Sequence, residues 1–327
     1  MKILLTGGLG FIGFHTAKLL EESTNHHLLI VDAYREYIKH DVKFNPYIRR
    51  GSMIQKSNII QGNCSNFSFI KQIIQDFQPE IIIHFASLPI VWKAENWPEL
   101  AHQDIEESFK SVLAGCEETS QVPKKIIYIS SSMVYGHFMR DQFQNLIPAI
   151  ENQAITPIDV YGRCKMFCEN MLTDFAKKTN SNYIIIRPSA VYGPEDYNKR
   201  VVEAFLKNAI QHKEIIISGN GELTLDFTYV DDLAKSISQC IETDIRNETF
   251  NITFGHGYTI NELANIVKQL IPSANIKHGL LAPNRPNRTY LNIEKAKTLL
   301  GINPQTSLEQ GVEKYYKYLI DHRIYEQ

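Results

Sequence analysis

The sequence predicts an α/β fold, a doubly wound parallel sheet with a smaller α/β lobe interleaved with it. Three observations carry this. Short apolar runs alternate with stretches of helical periodicity along the first 188 residues. The runs are continuous Ile, Val and Leu, as strands covered on both faces are. A glycine-rich turn joins the first run to the first helix.

The elements follow in order. "KILLT" (2–6) is the first strand, followed by a helix from about Ile12 to Glu21. "HLLIVD" (27–32) is the second strand. "NIIQG" (58–62) precedes a helix at 67–77, and "EIIIHFA" (80–86) precedes a long helix at about 100–120. "KIIYISS" (125–131) leads to a helix at 159–178, and "YIIIRP" (183–188) follows it. After Pro188 the pattern shifts to shorter strands and Pro/Gly/Asn turns. No composition-marked linker appears, so the lobes are expected to interleave. Residues 227–241 are expected to return to the first lobe as a helix and 248–253 as a last strand. The larger domain is thus expected over 1–188 plus about 226–254, and the smaller lobe over about 189–225 plus 255–327. "EKYYKYLIDH" (313–322) reads as an amphipathic terminal helix whose tyrosines pack.

Composition excludes several classes. Of the 327 residues, 43% are hydrophobic and 21% charged, which supports a folded core and argues against disorder. The formal net charge is −2 with no long basic run, which argues against nucleic acid as a partner. No apolar run reaches the roughly 18 residues of a membrane span. "MKILLTGGLGFIG" leads into structural glycines and does not read as a signal peptide. The 5 cysteines (Cys64, Cys116, Cys164, Cys168, Cys240) lack a C-x-x-C pair, and reduced thiols in the cytoplasm fit them. Cys164 and Cys168 lie one helical turn apart. No further ligand stands nearby in sequence, so they read as small buried residues, with no metal expected.

"TGGLGFIG" places Gly7, Gly10 and Gly13 between a strand and a helix. Such glycines permit a tight turn and let the backbone approach a pyrophosphate at the positive helix N-terminus. The strand-turn-helix setting makes this a Rossmann-type dinucleotide signature. Asp32 ends the second strand, where an acid binds adenosine ribose hydroxyls and repels a 2′-phosphate. NAD is therefore expected rather than NADP.

"DVYGRCK" (159–165) sets Tyr161 and Lys165 four apart, on one helix face. Spacing alone fits both a solvated helix face and a catalytic pair. Tyr135 and Tyr192, each in a "VYG", read as walls or supports. His84 reads as packing beside the cofactor, and Asp231 and Asp232 as capping or dipole-pairing acids at a helix start.

Taken together with "HFAS" (84–87), "SSSMVYG" (130–136) and "RPSAVYGP" (187–194), these motifs resemble the extended short-chain dehydrogenase/reductase family. The resemblance covers nearly the whole chain and points to the family's NAD-dependent nucleotide-sugar epimerases and dehydratases. "VDAYREYI" (31–38) and "HFASLPIVWKAENWP" (84–98) are most similar to the UDP-glucuronate and UDP-glucose 4-epimerase branch.

The resemblance implies cofactor contacts from Gly7, Gly10, Phe11, Ile12, Gly13, Asp32, Asn63, Cys64, Phe85, Ala86, Ser87 and Pro188, together with Tyr161 and Lys165. It implies that Tyr161 is the general base, that Lys165 holds the ribose and keeps Tyr161 acidic, and that Ser131 orients the substrate oxygen. Ser132, Met133, Arg285 and Arg288 are implied to contact substrate. Ser131, Ser132 and Met133 occupy the positions of the Thr-Asp-Glu triplet that marks 4,6-dehydratases, so the acid pair for eliminating water is missing. Trp92 and Leu225 stand where the family carries arginines. Arg285 and Arg288, in "PNRPNR" (283–288), are positioned to meet a diphosphate instead.

The expected activity is therefore 4-epimerisation of a nucleotide-diphosphate sugar by a cytoplasmic homodimer. Phe109, Val112, Leu113, Phe167 and Leu172 are apolar candidates for the dimer face, though some must cover the sheet instead. A one-way oxidation, keto reduction or decarboxylation of a nucleotide sugar stays open, as does a non-enzymatic dinucleotide sensor. The sensor would be expected to lose the Ser131–Tyr161–Lys165 set.

Overall fold

The computed structural model describes residues 1–280 and 286–325. The strands among them are β1 (Lys2–Thr6), β2 (His27–Asp32), β3 (Asn58–Gln61), β4 (Ile81–His84), β5 (Lys125–Ile129) and β6 (Asn182–Arg187), then β7 (Val191–Tyr192), β8 (Glu214–Ser218), β9 (Thr224–Leu225), β10 (Thr228–Tyr229), β11 (Glu248–Asn251), β12 (Tyr258–Thr259) and β13 (Asn275–Gly279). Seven of them form one sheet in the order β11-β6-β5-β4-β1-β2-β3, and every pairing in it is parallel. Strand order reverses between β1 and β4. In an open α/β sheet, that switch point is where the carboxyl ends of the strands leave a crevice.

Both sheet faces are covered, which is why the strands carry no polar alternation. Leu5, Ile30 and Ile83 face one core, closed by Phe14 and Leu20 of helix Phe11–Ser23 and by Leu233 and Ile237 of helix Val230–Glu242. Leu4, Leu29 and Ile82 face the other core. That side is closed by Ile70 and Ile74 of helix Phe67–Phe77, Phe109 and Val112 of helix Ser108–Glu118, and Cys168 and Leu172 of helix Val160–Thr179. A third apolar cluster joins Leu206, Ile217, Phe227, Leu263, Val267, Val312 and Tyr315, around the paired strands β8 and β13.

Local chemistry sets the helix that carries Tyr161. Asp159 Oδ1 accepts from Gly162 N at 2.7 Å, capping the N-terminus. Asn180 closes the other end in the left-handed conformation at φ 60°, behind Lys177 and Lys178 in the last turn.

Three expectations change. The long helix at 100–120 is a short helix Pro98–Ala101, a π-helical turn His102–Glu107 and helix Ser108–Glu118. Its composition is helical throughout, so nothing in the periodicity marks the π turn. Second, Phe109, Val112, Leu113 and Leu172 are buried within the chain, because these helices press their apolar face on the sheet. Of the five dimer-face candidates only Phe167 is exposed, at 49%. Third, Asp231 and Asp232 do not cap their helix. Asp231 pairs with His15 Nδ1 at 2.7 Å, and Asp232 Oδ2 accepts from Thr306 N at 2.7 Å and Gln305 N at 3.1 Å. Both still lie in the first turn, where acids complement the helix dipole. Helix Pro46–Met53 was not read from the sequence.

Candidate active site

A cleft of ≈490 Å³ opens at the carboxyl ends of the strands, within the volume range of small-molecule sites. Its floor begins at the glycine turn. Gly7 has φ +71°, and a Cβ there would sit 2.5 Å from Ala86 N, so no side chain fits where the turn passes the end of β4. A Cβ at Gly13 would meet Gly7 O at 2.6 Å, which holds the helix close beneath the turn. Gly10 is the N-cap of helix Phe11–Ser23, and no side chain caps it. The first N–H groups of that helix are thus directed at the cleft, as a pyrophosphate requires.

Asp32 closes one end of this cradle. Its Oδ2 accepts from Leu9 N at 3.0 Å and its Oδ1 from Tyr34 N at 2.8 Å, which fixes the carboxylate at the rim. Burial raises its pKa above the ordinary carboxylate value, opposed by those hydrogen bonds and by Arg50. Arg35, a nearby cation that could answer a 2′-phosphate, is paired with Asp104 at 2.5 Å. Asn63 and Cys64 follow β3, and burial pushes the Cys64 thiol up. Phe85 and Ala86 are held by Thr6 O at 2.8 and 2.9 Å, and Ser87 and Pro188 complete the wall. These residues fit a dinucleotide in donor chemistry and in clearance.

Tyr161, Lys165 and Ser131 meet at the middle of the cleft. Ser131 caps the turn Ser132–Tyr135, its Oγ accepting from Met133 N at 3.2 Å, and it lowers the pKa of the Tyr161 phenol beside it. Lys165 Nζ donates to Ile129 O at 2.8 Å and lies 5.0 Å above the Tyr128 ring. The electrostatics differ from expectation. Burial pushes Tyr161 up to about 12, opposed first by Arg200 and then by the Ser131 hydrogen bond. Burial also pulls Lys165 down to about 8. In the protein alone Lys165 is therefore not what keeps Tyr161 acidic. It is spent on a backbone carbonyl, 5.8 Å from the phenol ring centre.

The Tyr161 helix is pinned by a buried ion pair that the sequence reading missed. Arg187 Nη2 meets Glu169 Oε2 at 2.6 Å, Arg187 Nε meets Oε1 at 3.0 Å, and Ser130 Oγ donates to Oε1 at 2.5 Å. The signal was available: Tyr161, Lys165 and Glu169 repeat at intervals of four along one face. Tyr135, expected as a support, receives Arg187 Nη1 at 2.9 Å and donates to Asn251 Oδ1 at 2.7 Å. His84 is buried with its pKa lowered to about 3 by burial and Lys165; its Nδ1 meets Thr6 Oγ1 at 2.7 Å. Such a neutral imidazole packs rather than carries protons. Asp226, also missed, is pushed up to about 6 by burial and accepts from Thr253 Oγ1 at 2.6 Å and Leu291 N at 3.0 Å.

At the far end, Ser132, Met133 and Arg288 line the cleft, with Arg288 Nη1 3.4 Å from Ser132 Oγ and 2.9 Å from Met133 Sδ. Arg285 lies outside the described residues. Trp92, Leu225 and Arg200 line the same cleft.

The model of the NAD dependent epimerase/dehydratase family matches residues 3–253. The chain belongs to that family. An uncharacterized UDP-glucose epimerase of Bacillus subtilis (strain 168) is 26% identical over 328 residues, spanning 98% of each chain. The structure of a Thermotoga maritima UDP-glucose 4-epimerase with UDP-glucose superposes with a TM-score of 0.88 at 26% identity, covering 99% of this chain and all of that one. A Bacillus cereus UDP-glucuronic acid 4-epimerase, in complex with UDP-glucuronic acid and NAD, has a TM-score of 0.87 at 25% identity, with 98% and 100% coverage. These neighbours share the fold over essentially the whole chain. Among the described residues no helix is long and apolar enough to cross a membrane.

Proposed function

We propose that this protein is an NAD-dependent nucleotide-sugar 4-epimerase. The carrying observation is the convergence of Tyr161, Ser131 and Lys165 in one cleft with the glycine turn and Asp32. The UDP-sugar 4-epimerases among its neighbours support the reaction class.

Gly7, Gly10, Gly13, Phe11 and Ile12 would hold the pyrophosphate, Asp32 the adenosine ribose, and Lys165 the nicotinamide ribose. Asn63, Cys64, Phe85, Ala86, Ser87 and Pro188 would wall the rings. The dinucleotide supplies reversible hydride exchange at C4 of the sugar. Tyr161 takes the proton from the C4 hydroxyl, and Ser131 fixes that oxygen beside the phenol. The 4-keto sugar turns over in the cleft, and Tyr161 returns its proton to the inverted alcohol. Tyr161 must ionise to act first as base, and its pKa of about 12 marks how far the loaded site has to lower it. Arg200 already opposes the rise, and Lys165 lines the same cleft as the second cation.

Arg288 is assigned to the diphosphate, replacing the charge absent at Leu225. Trp92 is assigned to the sugar end of the cleft in place of a carboxylate-binding arginine. The enzyme is proposed to work as a homodimer, with Phe167 on the contact face. The lobe boundaries expected from the sequence are retained in this reading.

Trp92 and Leu225 also favour a second reading, a one-way redox step on a modified nucleotide sugar. Denaturing the purified protein and assaying released dinucleotide, then screening UDP-, GDP-, CDP- and dTDP-sugars by NMR, tests the proposal. Bound NAD and interconversion of C4 epimers support it. NADH accumulating in proportion to product would replace it with the one-way reading.

A further inference from the structure

The π-helical turn His102–Glu107 packs against the helix that carries Tyr161. It is the one π-helical turn among the described residues, and such turns recur at functional sites. It presents His102 and Glu106 to Cys164. His102 Nδ1 lies 3.0 Å from Glu106 Oε2 and 3.8 Å from Cys164 Sγ. The three donor atoms all lie within 4.8 Å of one another.

Sequence spacing gave Cys164 no partner but Cys168, which is why no metal was expected. The missing ligands come from a segment some sixty residues earlier, with His102 standing 62 positions before Cys164. We infer that His102 Nδ1, Glu106 Oε2 and Cys164 Sγ form a zinc site. An imidazole, a carboxylate and a thiolate are zinc's usual protein ligands. Tetrahedral bonds of about 2.0–2.3 Å put neighbouring ligand atoms roughly 3.3–3.6 Å apart. The observed 3.0 and 3.8 Å bracket that spacing and all three donors lie within 4.8 Å of one another, so an ion enters with side-chain shifts of about an ångström. Thiolate and carboxylate together balance the charge of Zn²⁺. The His102 side chain is 57% exposed, so the fourth position opens to water and the ion has an entry path. Cys164 is buried and adjoins Lys165, so the bound ion ties segment 98–118 to the helix that carries the catalytic pair.

The test uses untagged full-length protein, dialysed against chelator, incubated with ZnCl₂ and passed through a desalting column before elemental analysis. The site predicts about one zinc per chain, a matching rise in Tm, and a thiolate-to-metal charge-transfer band when Co²⁺ replaces zinc. His102→Ala and Cys164→Ser should each lose the retained metal and the band. His102 is largely exposed, so His102→Ala keeps its fold even if Cys164→Ser does not. Wild-type protein that retains no zinc would overturn the inference, as would equal retention in His102→Ala.

Discussion

Lys165 offers a prediction that separates function from stability. Replacing it with Met removes an ammonium that the folded chain holds at a cost. Burial lowers its pKa from 10.5 to about 8, a difference equivalent to about 3 kcal/mol at neutral pH. The substitution also loses the bond to Ile129 O, worth roughly 1.5–3 kcal/mol for a charged donor. The net effect at pH 7 is near zero to about 1.5 kcal/mol of stabilisation. The pH dependence is the sharper signature. Below pH 8 both folded and unfolded chains keep the proton. Between about pH 8 and 10.5 the folded chain has released it while the unfolded chain still binds it. Wild-type stability therefore rises with pH in that window relative to Lys165→Met. From pH 7 to 9.5 the difference between the two should move by about 2 kcal/mol in favour of wild type. Denaturant unfolding of dinucleotide-stripped protein at several pH values measures it, and groups common to both chains cancel. Turnover of the variant should fall by about 10²–10⁴, with weaker dinucleotide binding. A stability difference that stays constant from pH 7 to 9.5 would refute the buried-ammonium reasoning.

Three further outcomes are expected. Glu169→Gln leaves the Arg187 charge buried without its partner, which costs about 3–5 kcal/mol; thermal unfolding should move down by roughly 6–10 °C. NAD should bind stripped protein far more tightly than NADP, because Asp32 is the acid proposed for the adenosine ribose and Arg35 is already paired with Asp104; equal affinities by titration would remove Asp32 from that role. Arg288→Gln should raise KM for the nucleotide sugar by about tenfold to a hundredfold with kcat nearly unchanged, as loss of uniform binding does.

The sheet and the cofactor side of the cleft were legible in the sequence, because the signals there are local. "TGGLGFIG", the acid ending β2 and the Tyr161–Lys165 interval are each set within one element or turn. Every sequence-assigned residue that is described lines the same cleft. What escaped depends on contacts between distant segments. The Glu169–Arg187 pair joins a helix to β6, and the π turn brings His102 to Cys164 across 62 positions. The raised pKa of Tyr161 in the protein alone escaped for another reason. Spacing puts an ammonium near a phenol but says nothing of burial, and burial raises the phenol more than its neighbours lower it. Four of the five dimer-face candidates cover the sheet instead, because a helix covering a sheet and a helix covering a partner carry the same apolar stripe.

The central claim is that one face-to-face reversal at C4 occurs in this cleft with Tyr161 moving the proton. Its most direct test is ¹H NMR of a UDP-hexose deuterated at C4, incubated with wild-type protein and with Tyr161→Phe. Wild type should interconvert the two C4 epimers, with deuterium kept at C4 in both and no NADH accumulating in solution. Tyr161→Phe should stay folded, still bind the dinucleotide, and convert substrate about 10²–10⁴ times more slowly. Loss of the C4 label to solvent during conversion, or full activity in Tyr161→Phe, would contradict the account.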